Sequence, residues 1–504
     1  MMNDKKVSLI ATLLLSILFA LTSCKKDKSG ESLVMGPNVN VYLLTNDNKL
    51  LMVNAQNPQI VNAQVSITGL QASEQIVGID FRPATGQLYG LGNSSRVYVI
   101  DPKTGTARAI NSTPFSPAIT GTAFGFDFNP TVDRIRLVSA NGQNLRLNPE
   151  TGTVAATDMN INGVSNVKIG SVAYTENKAG AATTVLFDID ATTNKLYKQD
   201  PPNDGKLVEV GDLGYDIDEA GGFDISSEGV ALAALVNNGK YGLYTIDVTT
   251  GKAGKIGDFG QQVIGLAIPT APVAYAVSNN NELLIFNHTN ANPSIVVKTI
   301  TGIQTGESIV GLDMRPLNGQ LYALGSTSRI YTINASSGAA TAISANPLST
   351  LLSGTHFGFD FNPTVDRIRI VSNLGQNLRV NPMDATLTVD GAITLANTAV
   401  TGAAYTNNFA GATTTVLFDI DATANRLYKQ DPPNNGTLVD VGPLGIDVES
   451  SNGFDIGGAT GIAYGIFTVG TTQRIYTVNL TTGAASQLGI IATPVRAFTV
   501  GLGF

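Results

Sequence analysis

The chain has 504 residues, 43% of them hydrophobic and 14% charged, a formal net charge of −8 and one cysteine. Globular domains are typically ~25% charged, but this chain is too apolar for disorder, and its many Gly, Thr, Asn and Ala residues suit short strands with tight turns. Net negative charge without a Lys/Arg cluster in the body excludes a nucleic-acid partner, which demands a basic face.

Lys5 and Lys6 open the chain with positive charge, Val7 to Leu21 follow as an apolar core, and Leu21-Thr22-Ser23-Cys24 closes it. That apolar stretch is short for a bilayer, which takes ~20 residues, so residues 1–23 read as a cleaved signal peptide. LTSC resembles the bacterial lipobox, which makes Cys24 the expected acylated N-terminus of the mature chain. Several acyl chains hold a protein to a membrane, each buried CH₂ contributing ~0.8 kcal/mol. Lys25 stands where an Asp would resemble an inner-membrane retention signal. The expected location is therefore the outer membrane, facing the periplasm or the surface. Residues 24–40 read as the lipidated Cys and a flexible tether. A single Cys excludes disulfides and a thiolate metal site.

Beyond the tether the chain repeats itself. FGFDFNPTVDRIR stands at 124–136 and again at 357–369, GQNLR at 142–146 and 375–379, LYKQDPPN at 196–203 and 427–434. One unit is copied in tandem, and each copy contains a smaller period. Sets opening at Val77, Phe124, Gly170 and Gly222 each hold four short β-type runs separated by Asn, Asp, Gly and Pro turns. Four strands per ~40–45 residues is the signature of β-propeller blades.

A fifth blade takes its outer strands from Val41-Tyr-Leu-Leu44, Lys49 to Val53 and the region of Val61, and its inner strand from Val263 to Ile268. The second copy starts at Ala274 and ends with Thr499 to Phe504 in the same way. The expected fold is all-β: two tandem five-bladed β-propellers with four-stranded antiparallel blades, residues 41–268 and 273–504, joined by Pro269-Thr-Ala-Pro272. Closing each ring with strands from both ends removes exposed sheet edges. The competing arrangement is a single ten-bladed ring.

FRPATGQLYGLG, FGFDFNPTVDRIR, GQNLRLNPETG and LYKQDPPNDG resemble a bacterial family known as domain of unknown function 4394, over residues 41–504. The resemblance implies a propeller-like, extracytoplasmic protein and brings no catalytic residues.

Asp80, Asp127 and Asp224, with Asp313, Asp360 and Asp455 in the second copy, sit mid-strand among apolar neighbours and are expected near a central channel. A ring of carboxylates there could hold Ca²⁺ or act as general acid and base; the preferred reading is structural, each bonding main-chain N–H groups or an Arg. Arg134 and Arg136, repeated as Arg367 and Arg369, share one strand face. They read as an anionic-ligand clamp or, preferably, as counter-charges to Asp127 or Asp133. Asp188-Ile-Asp190 and Asp419-Ile-Asp421 fail the EF-hand pattern and read as turn caps. QDPPND at 199–204 reads as a rigid hairpin loop whose exposure makes it a candidate contact surface. The only histidines are His288 and His356, too few for a His-based site in both copies.

No catalytic set, metal or cofactor is assigned. The expected role is binding or scaffolding by a monomer on the envelope, its partner being the membrane through the lipid and an envelope protein or a small-molecule or glycan ligand. The alternative is a carboxylate-dependent hydrolase or lyase, Ca²⁺-assisted, at a channel mouth. A purely structural spacer is the third reading.

Overall fold

The computed structural model describes residues 33–395 and 397–504. The expected signal peptide and Cys24 lie outside the described residues. Among the described residues the fold is all-β, with two single 3₁₀ turns at Pro202–Asp204 and Pro433–Asn435. The strands form ten sheets of four, each antiparallel. Hairpin corners carry Asn48, Asp133 and Asn194 with φ between 52° and 58°, a left-handed conformation that Asn and Asp tolerate better than other side chains.

Strand composition follows burial. Leu88–Gly92 and Leu186–Asp190 are buried at every position, because neighbouring sheets cover both faces. Outer strands such as Val61–Ser66 are largely exposed. Between the sheets carrying Tyr89 and Phe128, those two rings meet edge-to-face at 5.1 Å. Leu91, Phe126, Ile135 and Leu137 complete that core. Tyr322 and Phe361 repeat the ring contact at 5.1 Å in the second half. Full burial of each such side chain contributes about 1.5–3 kcal/mol.

Both ends of each half meet in one sheet. Val263–Ala267 pairs with Asn40–Thr45, and Val495–Val500 pairs with Ala274–Ser278, both antiparallel. The innermost strands also pack in cyclic order. Ile76–Phe81 lies against Phe124–Asn129, then come Ile169–Tyr174, Glu219–Ile225 and Val263–Ala267, which returns to the first. Ile309–Arg315, Phe357–Asn362, Val400–Tyr405, Ser450–Ile456 and Val495–Val500 do the same.

The halves press on each other. Tyr275 Oη donates to the Ala84 carbonyl at 2.9 Å, Lys103 Nζ to Ala459 O at 2.6 Å, and Arg82 Nη1 to Gly319 O at 3.3 Å. Ala84 and Phe504 join one hydrophobic core with Val273 and Leu502. Part of the expected tether also lies on the fold: the Val34 N–H donates to Lys255 O at 2.8 Å.

Candidate functional site

The innermost strands, packed side by side, place one residue of each at the same level. In the first half these are Asp80, Asp127, Ala173, Asp224 and Ala267; in the second, Asp313, Asp360, Ala404, Asp455 and Thr499. Two residues earlier each strand carries a small residue. The reason is close approach: a Cβ on Gly125 would stand 2.7 Å from Val172 of the next strand, and one on Gly453 2.5 Å from Phe498. Gly453 also has φ +129°, which side chains rarely adopt.

The three aspartates of each half meet, each offering an oxygen within 4.8 Å of the others'. All six residues are 1% exposed. Asp80 accepts the N–H of Phe128 on the next strand at 2.7 Å, Asp127 that of Tyr174 at 2.9 Å, and Asp224 that of Ile268 at 2.6 Å. Ala173 and Ala267 cannot reach the N–H groups of Ile225 and Phe81. Asp224 and Asp80 therefore turn their second oxygens onto those N–H groups of their own strands, at 2.6 and 2.7 Å. Three carboxylates thus satisfy five buried donors that would otherwise be orphaned.

The second half repeats this with Phe361, Tyr405 and Val500 as cross-strand donors. Thr499 replaces Ala267 there, with its Oγ1 2.7 Å from Asp455 Oδ2 and 3.1 Å from Asp313 Oδ1.

Burial, and then the charge of Asp224, lifts the Asp80 carboxyl well above the usual carboxylate range. Asp127 is lifted by burial and by Asp80 and Asp224. Asp224 rises to about 6 through burial, moderated by its N–H donors. Asp313, Asp360 and Asp455 follow the same pattern, the last at about 6. In each triad one oxygen has no hydrogen-bond partner among the described residues: Asp127 Oδ2 and Asp360 Oδ2. Asn177, on the loop after Tyr174, reaches into the first triad and donates from Nδ2 to Asp224 at 3.3 Å.

The arginines do not join the triads. Arg136 is 1% exposed and fans out to Tyr174 Oη at 3.2 Å, to Asn144 and Asp158 at 2.7 Å, and to Asn203 at 2.8 Å. Arg369 makes the same four bonds to Tyr405, Asn377, Asp390 and Asn434. Their carboxylate partners are thus Asp158 and Asp390, correcting the expected pairing with Asp127 or Asp133. The alternation of Arg136 with Ile135 and Leu137 sends its side chain to the opposite sheet face, toward the next sheet. Burial raises the Asp158 carboxyl, but hydrogen bonds from Arg146 and Arg136 outweigh it and leave it below its ordinary value. Asp133 is instead bound by Arg82, Nε to Oδ1 at 2.9 Å. Arg134 and Arg367 donate to main-chain carbonyls near their own positions.

The QDPPND loop clasps the preceding sheet. Besides Asn203 and Arg136, the Pro202 carbonyl accepts Asn144 Nδ2 at 3.1 Å and Asn203 O accepts the Met159 N–H at 3.1 Å. Asp190 caps its turn, accepting the N–H groups of Lys168 and Thr193 at 2.7 and 2.9 Å. Asp188 differs: it is fully buried, neither oxygen has a hydrogen-bond partner among the described residues, and burial lifts it to about 8. His288 is buried edge-on to Tyr464 at 4.6 Å, with its pKa pressed down to about 4 by burial.

Two stretches, residues 49–267 and 282–499, match the family described as Domain of unknown function (DUF4394). The chain belongs to the DUF4394 family. No curated protein matches it. Solved structures resemble it loosely. PorZ, a surface component of the type-IX secretion system of Porphyromonas gingivalis, is 12% identical with a TM-score of 0.27, over 90% of this chain and 59% of PorZ. This DUF4394 chain thus spans well under two thirds of PorZ's length. A Bacteroides thetaiotaomicron protein of unknown function is 12% identical with a TM-score of 0.29, over 79% of this chain and 96% of that one. Virginiamycin B lyase of Staphylococcus aureus is 16% identical with a TM-score of 0.25, over 59% and 90%.

Sequence reasoning about this DUF4394 chain found the six aspartates but missed Asn177, Thr499, Arg82 and Asp158. Asn177 and Asp158 lie outside the strands, and no periodicity marks them. Arg82 was visible in FRPATGQLYG, repeated as MRPLNGQLYA with Arg315.

Proposed function

We propose that this chain is a lipid-anchored envelope protein whose two five-bladed propellers, residues 41–268 and 273–504, form a rigid binding or scaffolding body. The cyclic order of inner strands and the end-to-end strand pairing support that blade count and those limits. Cys24, behind the signal peptide of residues 1–23, supplies the membrane anchor, in the outer membrane of the envelope.

One observation carries the scaffolding role. In both halves the acidic and guanidinium groups most capable of chemistry bind the same internal partners, and the halves share a core that fixes them as one body. A hydrolase needs carboxyl groups facing its substrate. These six aspartates are 1% exposed and hold main-chain N–H groups. The partner is an envelope protein or a small-molecule or glycan ligand bound on the exposed loops.

Replacing Cys24→Ala should move the chain from the membrane to the soluble fraction; unchanged fractionation defeats the anchor. Cross-linking of intact cells should trap discrete adducts of the anchored chain. Recovery of the bare chain alone defeats the scaffolding role.

A further inference from the structure

Beyond the scaffold, the interior of each half contains an arrangement that main-chain capping does not use up. In the first half Asp80, Asp127 and Asp224 each bring one oxygen within 4.8 Å of the others', and five buried N–H groups engage the three carboxylates. Asp127 Oδ2 is left over, as is Asp360 Oδ2 in the second half.

A second observation, independent of the acids, concerns the asparagines beside them. Asn177 is 2% exposed and turned toward Asp224, yet its Oδ1 has no partner. Asn408, at the equivalent place, is 1% exposed, and neither its Oδ1 nor its Nδ2 has a hydrogen-bond partner among the described residues. A buried amide with nothing to bind is rare in folded proteins. An unpartnered amide oxygen thus recurs in both halves, at Asn177 against Asp224 in the first and at the equivalent Asn408 in the second.

We propose that each aspartate triad, with its neighbouring asparagine, binds one Ca²⁺ ion: Asp80, Asp127, Asp224 and Asn177 in one half, Asp313, Asp360, Asp455 and Asn408 in the other. The ligand set is all oxygen, which hard cations select. Oxygens within 4.8 Å of one another fit around a single Ca²⁺, whose ligands stand ~2.3–2.6 Å from the ion. The carboxylates already accepting N–H bonds keep a lone pair each for the ion. Mg²⁺ suits the site less well, because it holds its waters and demands tighter octahedral geometry.

In the second half a shallow pocket is lined by Gly311, Gly358, Gly402, Gly453 and Ala497. Each of these precedes by two residues a member of the level that carries Asp313, Asp360 and Asp455, so along a strand it faces the same way.

The test uses the purified full chain in detergent. Elemental analysis before any chelation should find two calcium ions per chain. After EDTA treatment and its removal, calorimetric titration with CaCl₂ should restore both. Asp127→Asn and Asp360→Asn, which keep the Oδ1 acceptor for Tyr174 or Tyr405, should each weaken one site at least tenfold. The double variant should lose both, with an unchanged circular dichroism spectrum.

The proposal is overturned by a calcium-free preparation that neither takes up ion nor gains melting temperature at ~10 mM CaCl₂, above the range of weak extracellular sites. Undiminished binding in the double variant overturns it too, and equal affinity for MgCl₂ overturns the choice of ion. Should the variants fail to fold, the metal content and titration of the unaltered chain decide the matter.

Discussion

The carboxylate of Asp80 accepts the main-chain N–H of Phe128 at 2.7 Å, tying the innermost strands of two neighbouring sheets together. Its other oxygen takes the Phe81 N–H of its own strand at 2.7 Å. Asp313 does the same with Phe361 and Met314, both at 2.7 Å.

Asp80→Ala strands two buried donors, each costing about 1–3 kcal/mol when unsatisfied. Urea denaturation should show a loss of about 2–5 kcal/mol for Asp80→Ala or Asp313→Ala. Asn keeps one acceptor and should lose roughly half as much. A loss below about 1 kcal/mol for Ala contradicts the capping role.

Arg82 and Arg315 occupy equivalent places with unequal surroundings. Arg82 is fully buried, pairs with Asp133 and Glu150, and reaches Gly319 of the other half. Arg315 pairs with Asp366, whose side chain is 31% exposed, and meets Met383 where the first half has Glu150. Breaking a buried pair costs about 3–5 kcal/mol by leaving its partner charge uncompensated. Arg82→Ala should therefore destabilise the chain by that amount, and Arg315→Ala by less. Equal losses would remove the asymmetry.

Asp188 and Asp419 give the stability a pH dependence. Burial raises both to about 8, against a partial opposing effect from Arg136 and Arg369. Unfolded, an Asp titrates near ~3.9. The folded carboxyl holds its proton more tightly, so its stabilising contribution is complete below ~4 and lost as pH rises through about 8. Across that window each carboxyl can change stability by up to ~1.4 kcal/mol per pH unit. The melting temperature should fall between pH 5 and 9, and the Asp188→Asn, Asp419→Asn double variant should flatten the curve. A wild-type profile unchanged by the two substitutions rules this out.

The strand pairing also predicts independence. Because Val263–Ala267 returns to Asn40–Thr45, residues 33–270 expressed alone should give a folded all-β domain by circular dichroism and heat capacity. Its melting temperature should lie below that of the full chain, since Ala84 loses Tyr275 and Arg82 loses Gly319. A molten product would argue for one continuous ring.

The order of strands, the turn residues and the tandem copying were written in the chain itself. Alternation along RIRLV and the Asn, Asp and Gly corners act over a few residues, and the duplicated motifs are visible by inspection. The level of Asp80, Asp127 and Asp224 was legible for the same reason, as a recurrent Asp among apolar neighbours. What each carboxylate binds was not legible. Asp127 meets Tyr174, and Arg136 meets Asp158 and Asn203, across separations that no local pattern encodes. Packing of one sheet on the next sets those pairs. So does the choice of alanine at 173 and 267, which turns Asp224 and Asp80 back onto their own strands. The unpartnered Asn408 has meaning only once neighbouring strands enclose it, because burial, and not residue type, makes an unmatched amide costly.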